Sequence, residues 1–157
     1  MTVAMTPASR PALATCTTPP LCVLLRRASQ AADMLLQEEL HRLDSQMTPR
    51  QLTVLEALAG GPLIQDIIVR VTGIDRSTLG DMLRRLERRG WIVRRTHRAD
   101  ARAKMVALTS EGQRVLARAR EIATAANRRI AEVCGLDAVD LNELEDTLER
   151  IIGRGGR

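Results

Sequence analysis

The chain has 157 residues, which is enough for one compact domain with extensions and too few for two domains of ordinary size. Its formal net charge is +5, and a single Trp without any Tyr or Phe argues against recognition of single strands by base stacking. Three cysteines without CxxC spacing argue against a disulfide scaffold and a zinc ribbon. No apolar run approaches the roughly 20 residues that cross a bilayer, so we expect a cytoplasmic protein without a membrane segment.

The N-terminal part of the chain changes character at Leu21. Residues 1–20 are rich in Thr, Pro and Ala and lack a continuous apolar stretch, which is typical of a disordered tail rather than of a secretory signal. From Leu21 onward, apolar residues recur every three or four positions, as they do along one face of an amphipathic helix. The pattern predicts a first helix that ends near Asp44.

A complete helix start signal comes next. Thr48 stands at the N-cap, Pro49 at the first helical position and Gln51 at the third, which together form a capping box. These residues predict a second helix through Ala59, where two glycines and a proline stop it.

The following segment predicts a helix-turn-helix. Residues 63–71 form a short apolar run that periodicity alone cannot assign to strand or helix, and the context favours a short helix. After a tight turn at 72–74, Asp75 is the expected N-cap of a helix through Arg89, which Gly90 ends. Two short helices joined by a glycine-containing turn make this motif.

Beyond Gly90 the pattern changes to that of a β-hairpin. Apolar and basic residues at 91–95 and alternating residues at 103–108 flank a polar tip near 97–101. Ser110 with Gln113 then predicts another capping box, which opens a long helix.

That long helix is expected to end at Gly135, and a last helix runs from about Asp137. The predicted fold is mainly α with a small β-hairpin wing (α+β), a winged helix-turn-helix.

Positive charge is concentrated in one segment. Residues 76–104 hold ten basic and three acidic residues, a net +7, which leaves −2 for the rest of the chain. Such a localised positive potential is what a phosphate-facing element needs.

The helix expected at Arg76–Arg89 has two distinct faces. One face carries three leucines, and nearly opposite to them lie Ser77, Asp81, Arg84 and Arg88. Arg84 suits the O6 and N7 atoms of guanine, while Asp81 suits a cytosine amino group or orients an arginine. Ser77 and Thr78, near the helix N-terminus with its free backbone amides, suit a phosphate. The alternative is a solvated face on which Asp81 pairs with Arg84 or Arg85.

The predicted hairpin tip is strongly basic. An arginine there suits the narrower minor groove of DNA, where the potential is more negative, and Asp100 is assigned an orienting role toward Arg102. The alternative is an incidental charged turn. The candidate DNA contacts are Arg76, Ser77, Thr78, Asp81, Arg84, Arg88, Arg98, Asp100, Arg102 and Lys104.

Two segments of the sequence resemble the MarR family of bacterial transcriptional regulators. The stretch Asp100-x-Arg102-x-x-x-Val106-x-Leu108-Thr109 is similar to the family's wing signature. The segment 86–94 resembles the place where the family's recognition helix ends and its wing begins. The resemblance covers roughly residues 21–152.

The resemblance implies a winged-helix region at 46–109 and a helical dimerisation region at 21–45 and 110–152. It further implies a homodimer that binds a palindromic operator, with Arg102 as the minor-groove arginine and Asp100 as its partner. Long apolar stripes on the terminal helices favour a dimer independently. We expect the protein to act as a repressor.

The effector remains open at this stage. Many members of the family release DNA on binding a small aromatic acid, and some respond to oxidants through cysteine. Cys22 and Cys134 resemble the two-cysteine arrangement of the hydroperoxide-sensing members, but this chain lacks the tyrosines that support the thiolate there. The alternative is that both are buried and act as small apolar residues.

Other classes of function fit the sequence less well. A winged-helix module for protein contacts or for non-specific architectural DNA binding is the main alternative. A metalloregulator that uses His41, His97 and the cysteines lacks ligand spacing. An enzyme is not expected, because neither paired carboxylates nor a Gly-rich phosphate loop occurs in a suitable context. We expect no cofactor.

Overall fold

The computed structural model describes residues 19–42, 47–96 and 104–155. Residues 1–18 of the predicted tail at 1–20 lie outside these ranges. Its elements in chain order are α1 (Leu21–Arg42), α2 (Pro49–Ala57), β1 (Leu63–Ile64), α3 (Gln65–Thr72), α4 (Arg76–Arg88), β2 (Ile92–Thr96), β3 (Lys104–Leu108), α5 (Ser110–Cys134) and α6 (Ala138–Gly155). The predicted fold class, mainly helical with a small β wing, is confirmed.

The start of α2 follows the predicted capping box. The Thr48 side chain accepts a hydrogen bond from the Gln51 backbone N–H at 3.3 Å, and the Gln51 side chain accepts one from the Thr48 backbone N–H at 3.1 Å. Pro49 occupies the first turn, where its missing N–H costs nothing. Local chemistry therefore fixes where α2 begins.

The sheet contains one strand more than the sequence predicted. Leu63 and Ile64 pair antiparallel with Val106 and Met105, so the expected helix over 63–71 is wrong at its start, and α3 begins only at Gln65. The strand order is β1-β3-β2, with β3 in the centre. Two residues are enough for β1 because β3 supplies its hydrogen-bonding partner.

The start of α5 also differs from the prediction. Thr109, not Ser110, is the N-cap, and its side chain accepts a hydrogen bond from the Gly112 backbone N–H at 3.0 Å. Ser110 is the first residue of the helix, so the predicted box of Ser110 and Gln113 is wrong. A threonine one position earlier satisfies the same free amides.

The core lies between the C-terminal end of α1, the helices α2, α3 and α4, the sheet and the first half of α5. The leucines of α4 at positions 79, 83 and 86 are fully buried in it. Burial of three leucines is worth several kcal/mol, and it turns the opposite face of α4 toward solvent. Packing in the core therefore determines which face of α4 is exposed to solvent.

Ion pairs attach α5 to α1 and α2. Arg129 contacts Glu38 at 3.0 Å and the nearly buried Glu39 at 2.9 Å, and Arg120 makes a two-pronged contact with Glu56. The hydrogen bonds that the Arg129 guanidinium donates to Glu39 and Glu38 raise the pKa of Arg129 above its ordinary value. The Arg129 pairs therefore join α5 to α1, and the Arg120 pair joins α5 to α2.

The helices α1, α5 and α6 carry large apolar side chains that are exposed in the single chain. On α1 they are Leu21, Val23, Leu24 and Met34; toward the C-terminus they are Val133, Val139, Leu144, Leu148, Ile151 and Ile152. None of the helices within the described ranges is long and apolar enough to span a membrane. These apolar side chains are therefore exposed to solvent in the single chain.

Candidate nucleic-acid interface

The N-terminus of α4 is capped by Asp75. The Asp75 carboxylate accepts a hydrogen bond from the Thr78 backbone N–H at 2.9 Å. The hydrogen bonds from Thr78 lower the pKa of Asp75 below its ordinary value of 3.8, so this carboxylate is ionised at neutral pH. The expectation of free amides at this helix end is therefore wrong for Thr78, because Asp75 already uses that donor.

The outer face of α4 is exposed, as the sequence predicted for Ser77, Asp81, Arg84 and Arg88. The ion pair that the sequence left as an alternative also exists, since the Arg84 guanidinium contacts Asp81 one turn earlier. Both side chains stay more than half exposed, at 61% and 56%. Asp81 therefore orients Arg84 on the surface while leaving it accessible.

Three arginines near this face are exposed and have no ion-pair or hydrogen-bond partner among the described residues: Arg85, Arg88 and Arg95. Arg76, in contrast, pairs with Asp66 of α3 at 2.8 Å. A guanidinium without a protein partner is available to bind a phosphate through two parallel hydrogen bonds. The outer face of α4 and the adjoining strand can thus bind a polyanion.

The strands β2 and β3, which form the wing, carry one more of the predicted DNA contacts. Lys104 is exposed at the start of β3, and its ammonium group donates to the Thr96 hydroxyl of β2 at 3.1 Å. Arg98, Asp100 and Arg102 fall within 97–103, outside the described residues. Their roles therefore remain predictions from the sequence.

An ion pair that the sequence analysis missed joins α4 to β2. The Arg94 Nε donates to Glu87 Oε2 at 2.8 Å, and the Arg94 Nη2 contacts the same oxygen. These hydrogen bonds lower the pKa of Glu87. The pair forms part of a cleft of about 450 Å³ lined by Asp81, Arg84, Arg85, Glu87, Arg88 and Arg94.

A second missed feature joins the base of the wing to α5. The Thr109 hydroxyl donates to the Gly90 carbonyl at 2.6 Å, and the Thr109 backbone N–H donates to the Trp91 carbonyl at 3.0 Å. Gly112 lies directly against that carbonyl. The only sequence signal for this joint was Thr109, which appeared as the end of the wing motif.

Cys22 and Cys134 are both exposed in the single chain and form no disulfide. The alternative that they are buried apolar residues is therefore wrong for one chain by itself. His41 lies within 2.9 Å of the Gln37 side-chain nitrogen. Within the described ranges, no three His, Cys, Asp or Glu residues come together as a metal site would require.

Comparison with known proteins agrees with this geometry. The sequence model of the MarR family matches residues 45–103. The transcriptional regulator HosA of Escherichia coli is 38% identical over 74 residues, 46% of this chain and 55% of HosA, so the chain spans about half the length of the curated relatives that it matches.

Among solved structures, a MarR variant from Escherichia coli complexed with operator DNA is 26% identical, with a TM-score of 0.71, covering 84% of this chain and 93% of its own. PcaV of Streptomyces coelicolor, in complex with its natural ligand, is 28% identical, with a TM-score of 0.69, covering 87% and 96%. These findings confirm the MarR resemblance inferred from the wing motif.

Proposed function

We propose that this chain is a cytoplasmic transcriptional regulator of the MarR family that binds double-stranded DNA as a homodimer. Its curated relatives are transcriptional regulators, which favours a regulator over an enzyme. A solved neighbour holds operator DNA on the same fold. In this proposal, 46–109 is the DNA-binding region, and 21–45 with 110–152 is the dimerisation region.

The observation that carries the proposal is the exposed, basic outer face of α4. Its buried leucines fix the helix on the core, and Arg84 and Arg88 point away from that core. A helix presented in this way fits the major groove, where Arg84 can donate to guanine and where Arg85 and Arg88, which have no partner among the described residues, can donate to phosphates. Lys104 and the predicted Arg102 extend the contact to the wing.

The exposed apolar residues of α1, α5 and α6 support the homodimer. Every side chain of α6 from 138 to 153 is at least partly exposed, including Val139 and Ile152. A second copy that packs its own α1 and α6 against these residues would remove this apolar surface from water. Two-fold symmetry then places two α4 helices on one side, and a palindromic operator is the DNA that matches this symmetry. A dimer on such an operator blocks polymerase, which makes repression the expected outcome.

A cleft between α1 and α2 supports release by a small-molecule effector. It has a volume of about 550 Å³ and lies between the proposed dimerisation and DNA-binding regions. Arg50 and His41 line it, and Arg50 suits the carboxylate of a small aromatic acid. A ligand here would change the angle between the two regions, and PcaV shows that a neighbour of this fold holds a ligand.

Cysteine oxidation is the alternative route of release. A hydroperoxide would oxidise the Cys22 thiolate to a sulfenic acid and leave as an alcohol, and condensation with Cys134 of the partner subunit would form a disulfide and release water. The exposure of both cysteines in one chain supports access for the oxidant. Titration of the DNA complex with hydroperoxide or with benzoate derivatives, for wild type and Cys22→Ser, separates the two routes.

The proposed DNA binding is tested with duplexes selected from a randomised pool. The wild type should enrich a palindrome and lose affinity steeply with salt. Arg88→Ala should weaken binding and lower the salt slope, whereas Arg118→Ala removes the same charge from an exposed position on α5 and should leave both unchanged. Equal affinity for selected and random duplexes would indicate an architectural binder instead.

A further inference from the structure

The ion pair between Glu87 and Arg94 lies where the chain passes from α4 to β2, the first strand of the wing. Within the described residues, it is the one ion pair that joins α4 to the sheet. Arg94 is only 28% exposed and has both Nε and Nη2 on one carboxylate oxygen. The neighbouring Arg95 is exposed and has no described partner. Of these two consecutive arginines of β2, Arg94 is therefore bound to a carboxylate, whereas Arg95 is exposed to solvent.

We propose that Glu87 determines DNA specificity by attaching the first wing strand to α4 and by keeping Arg94 away from phosphates. This inference rests on the proposed function, because it concerns how the same surface distinguishes one duplex from another. Glu87 acts through Arg94 and is a positioning residue.

The first part of the inference follows from the position of the pair. The chain turns at Gly90, whose φ of +72° lies in the left-handed region, and the Trp91 backbone N–H donates to the Leu86 carbonyl at 3.1 Å, so the backbone bonds of the turn end at Trp91 and the Glu87–Arg94 pair adds a contact three residues further along the strand. The pair reaches across this turn, and Arg94 is already fixed in register with Val106 of β3. A charge-assisted hydrogen bond at that point holds the β2–β3 ribbon at a set angle to α4.

The second part of the inference follows from charge. Phosphate contacts fix a protein on DNA but carry no sequence information. An arginine neutralised by Glu87 releases few counterions, so it adds little to binding of random DNA. Without Glu87, Arg94 would become a further exposed cation beside the duplex, in addition to Arg85, Arg88 and Arg95, which have no partner in the part of the chain that the structure describes. The lowered pKa of Glu87 keeps the carboxylate ionised, and the pair intact, at neutral pH.

Loss of the Glu87 carboxylate should change the selectivity between duplexes more than the total affinity for DNA. For Glu87→Gln in the full chain, the ratio of affinities for the wild-type-selected duplex and for a shuffled duplex should fall about tenfold, the scale of one charge-assisted contact. On the shuffled duplex the salt slope should steepen by about two, one phosphate for each protomer of the dimer.

The matched control is Glu111→Gln. Glu111 is an exposed acid on α5 that pairs with Arg114 at 2.8 Å, so the substitution removes the same charge from a similar pair outside α4 and the wing. Its affinity ratio and its salt slope should equal those of the wild type.

A second variant separates the two parts of the inference. The double variant Glu87→Gln, Arg94→Gln removes the attachment together with both charges of the pair, so the affinity ratio should fall while the slope on shuffled DNA stays at the wild-type value. A slope that becomes shallower by about two would show that Arg94 already contacts phosphate in the wild type, and would overturn the inference. Thermal unfolding of each variant checks that it is folded.

The outcomes distinguish this inference from the proposed function. If the wild type prefers its selected duplex and Glu87→Gln keeps both the same ratio and the same slope, the inference is wrong while the proposed function stands. If the wild type selects no duplex at all, the proposed function itself is wrong.

Discussion

Replacement of Gly112 with alanine should destabilise the protein, although alanine is the better helix former. Gly112 is the third residue of α5 and packs against the backbone at the base of the wing. A Cβ at this position would lie 1.9 Å from the Trp91 carbonyl oxygen and 2.9 Å from its carbon. Ordinary contact begins near 3.4 Å, so α5 and this backbone must separate by about 1.5 Å.

The cost follows from what that separation disrupts. The same Trp91 carbonyl accepts the Thr109 backbone N–H at 3.0 Å, so the helix cannot retreat without stretching this bond. Overpacking of this kind costs about 1–3 kcal/mol, and the better helix propensity of alanine returns at most about 1 kcal/mol. We expect a net loss of about 1–2 kcal/mol and a Tm lower by roughly 2–8 °C for a chain of this length.

The assay compares two glycine-to-alanine variants by urea and thermal unfolding followed by circular dichroism. Gly80 also lies in a helix, but the nearest atoms to a Cβ there are 3.9 and 4.0 Å away. Gly80→Ala should therefore stabilise the protein by about 0.5–1 kcal/mol. If Gly112→Ala proves as stable as the wild type, the close approach of α5 to the wing is wrong.

Three further predictions address the core, the cap of α4 and the wing. Leu83→Ala should lower the free energy of unfolding by about 2–5 kcal/mol in urea titrations, since Leu83 is fully buried and its loss leaves a cavity. Because the folded-state pKa of Asp75 is lowered, its contribution to stability is present above pH 3.8 and is lost as the pH falls below it. Asp75→Asn keeps a capping oxygen but cannot titrate, so its Tm should fall less than that of the wild type on acidification; an equal fall would contradict this. Arg102→Ala should weaken DNA binding in fluorescence anisotropy without a change in Tm, and unchanged affinity would refute the wing assignment.

Local signals made much of the fold predictable from the sequence. Asp75 as an N-cap and the leucine spacing of α4 depend only on neighbouring residues, and both expectations are confirmed. β1 was missed because Leu63 finds its strand partner, Val106, far along the chain, and two residues show no periodicity of their own. The N-cap of α5 was assigned to Ser110 because two hydroxyl residues are adjacent there, and only the backbone geometry distinguishes them.

In the candidate site, too, features that depend on neighbouring residues were predictable, and contacts between separate elements were not. The exposed face of α4 was predictable because burial of one face leaves the other to solvent. The contact between Glu87 and Arg94 was not, since it depends on the backbone turn at Gly90 that brings β2 back beside the helix. The use of the Thr78 amide by Asp75 removes a donor that the sequence had left free for phosphate.

The most direct test of the account is hydroxyl-radical footprinting of the full chain on the duplex that it selects. Two α4 helices related by two-fold symmetry should protect two half-sites whose centres lie about 34–36 Å apart, one turn of DNA, or a multiple of that spacing. Protection should be symmetrical about the centre of a palindrome. A single protected patch, or uniform protection along the whole duplex, would contradict a dimer that recognises its operator through α4.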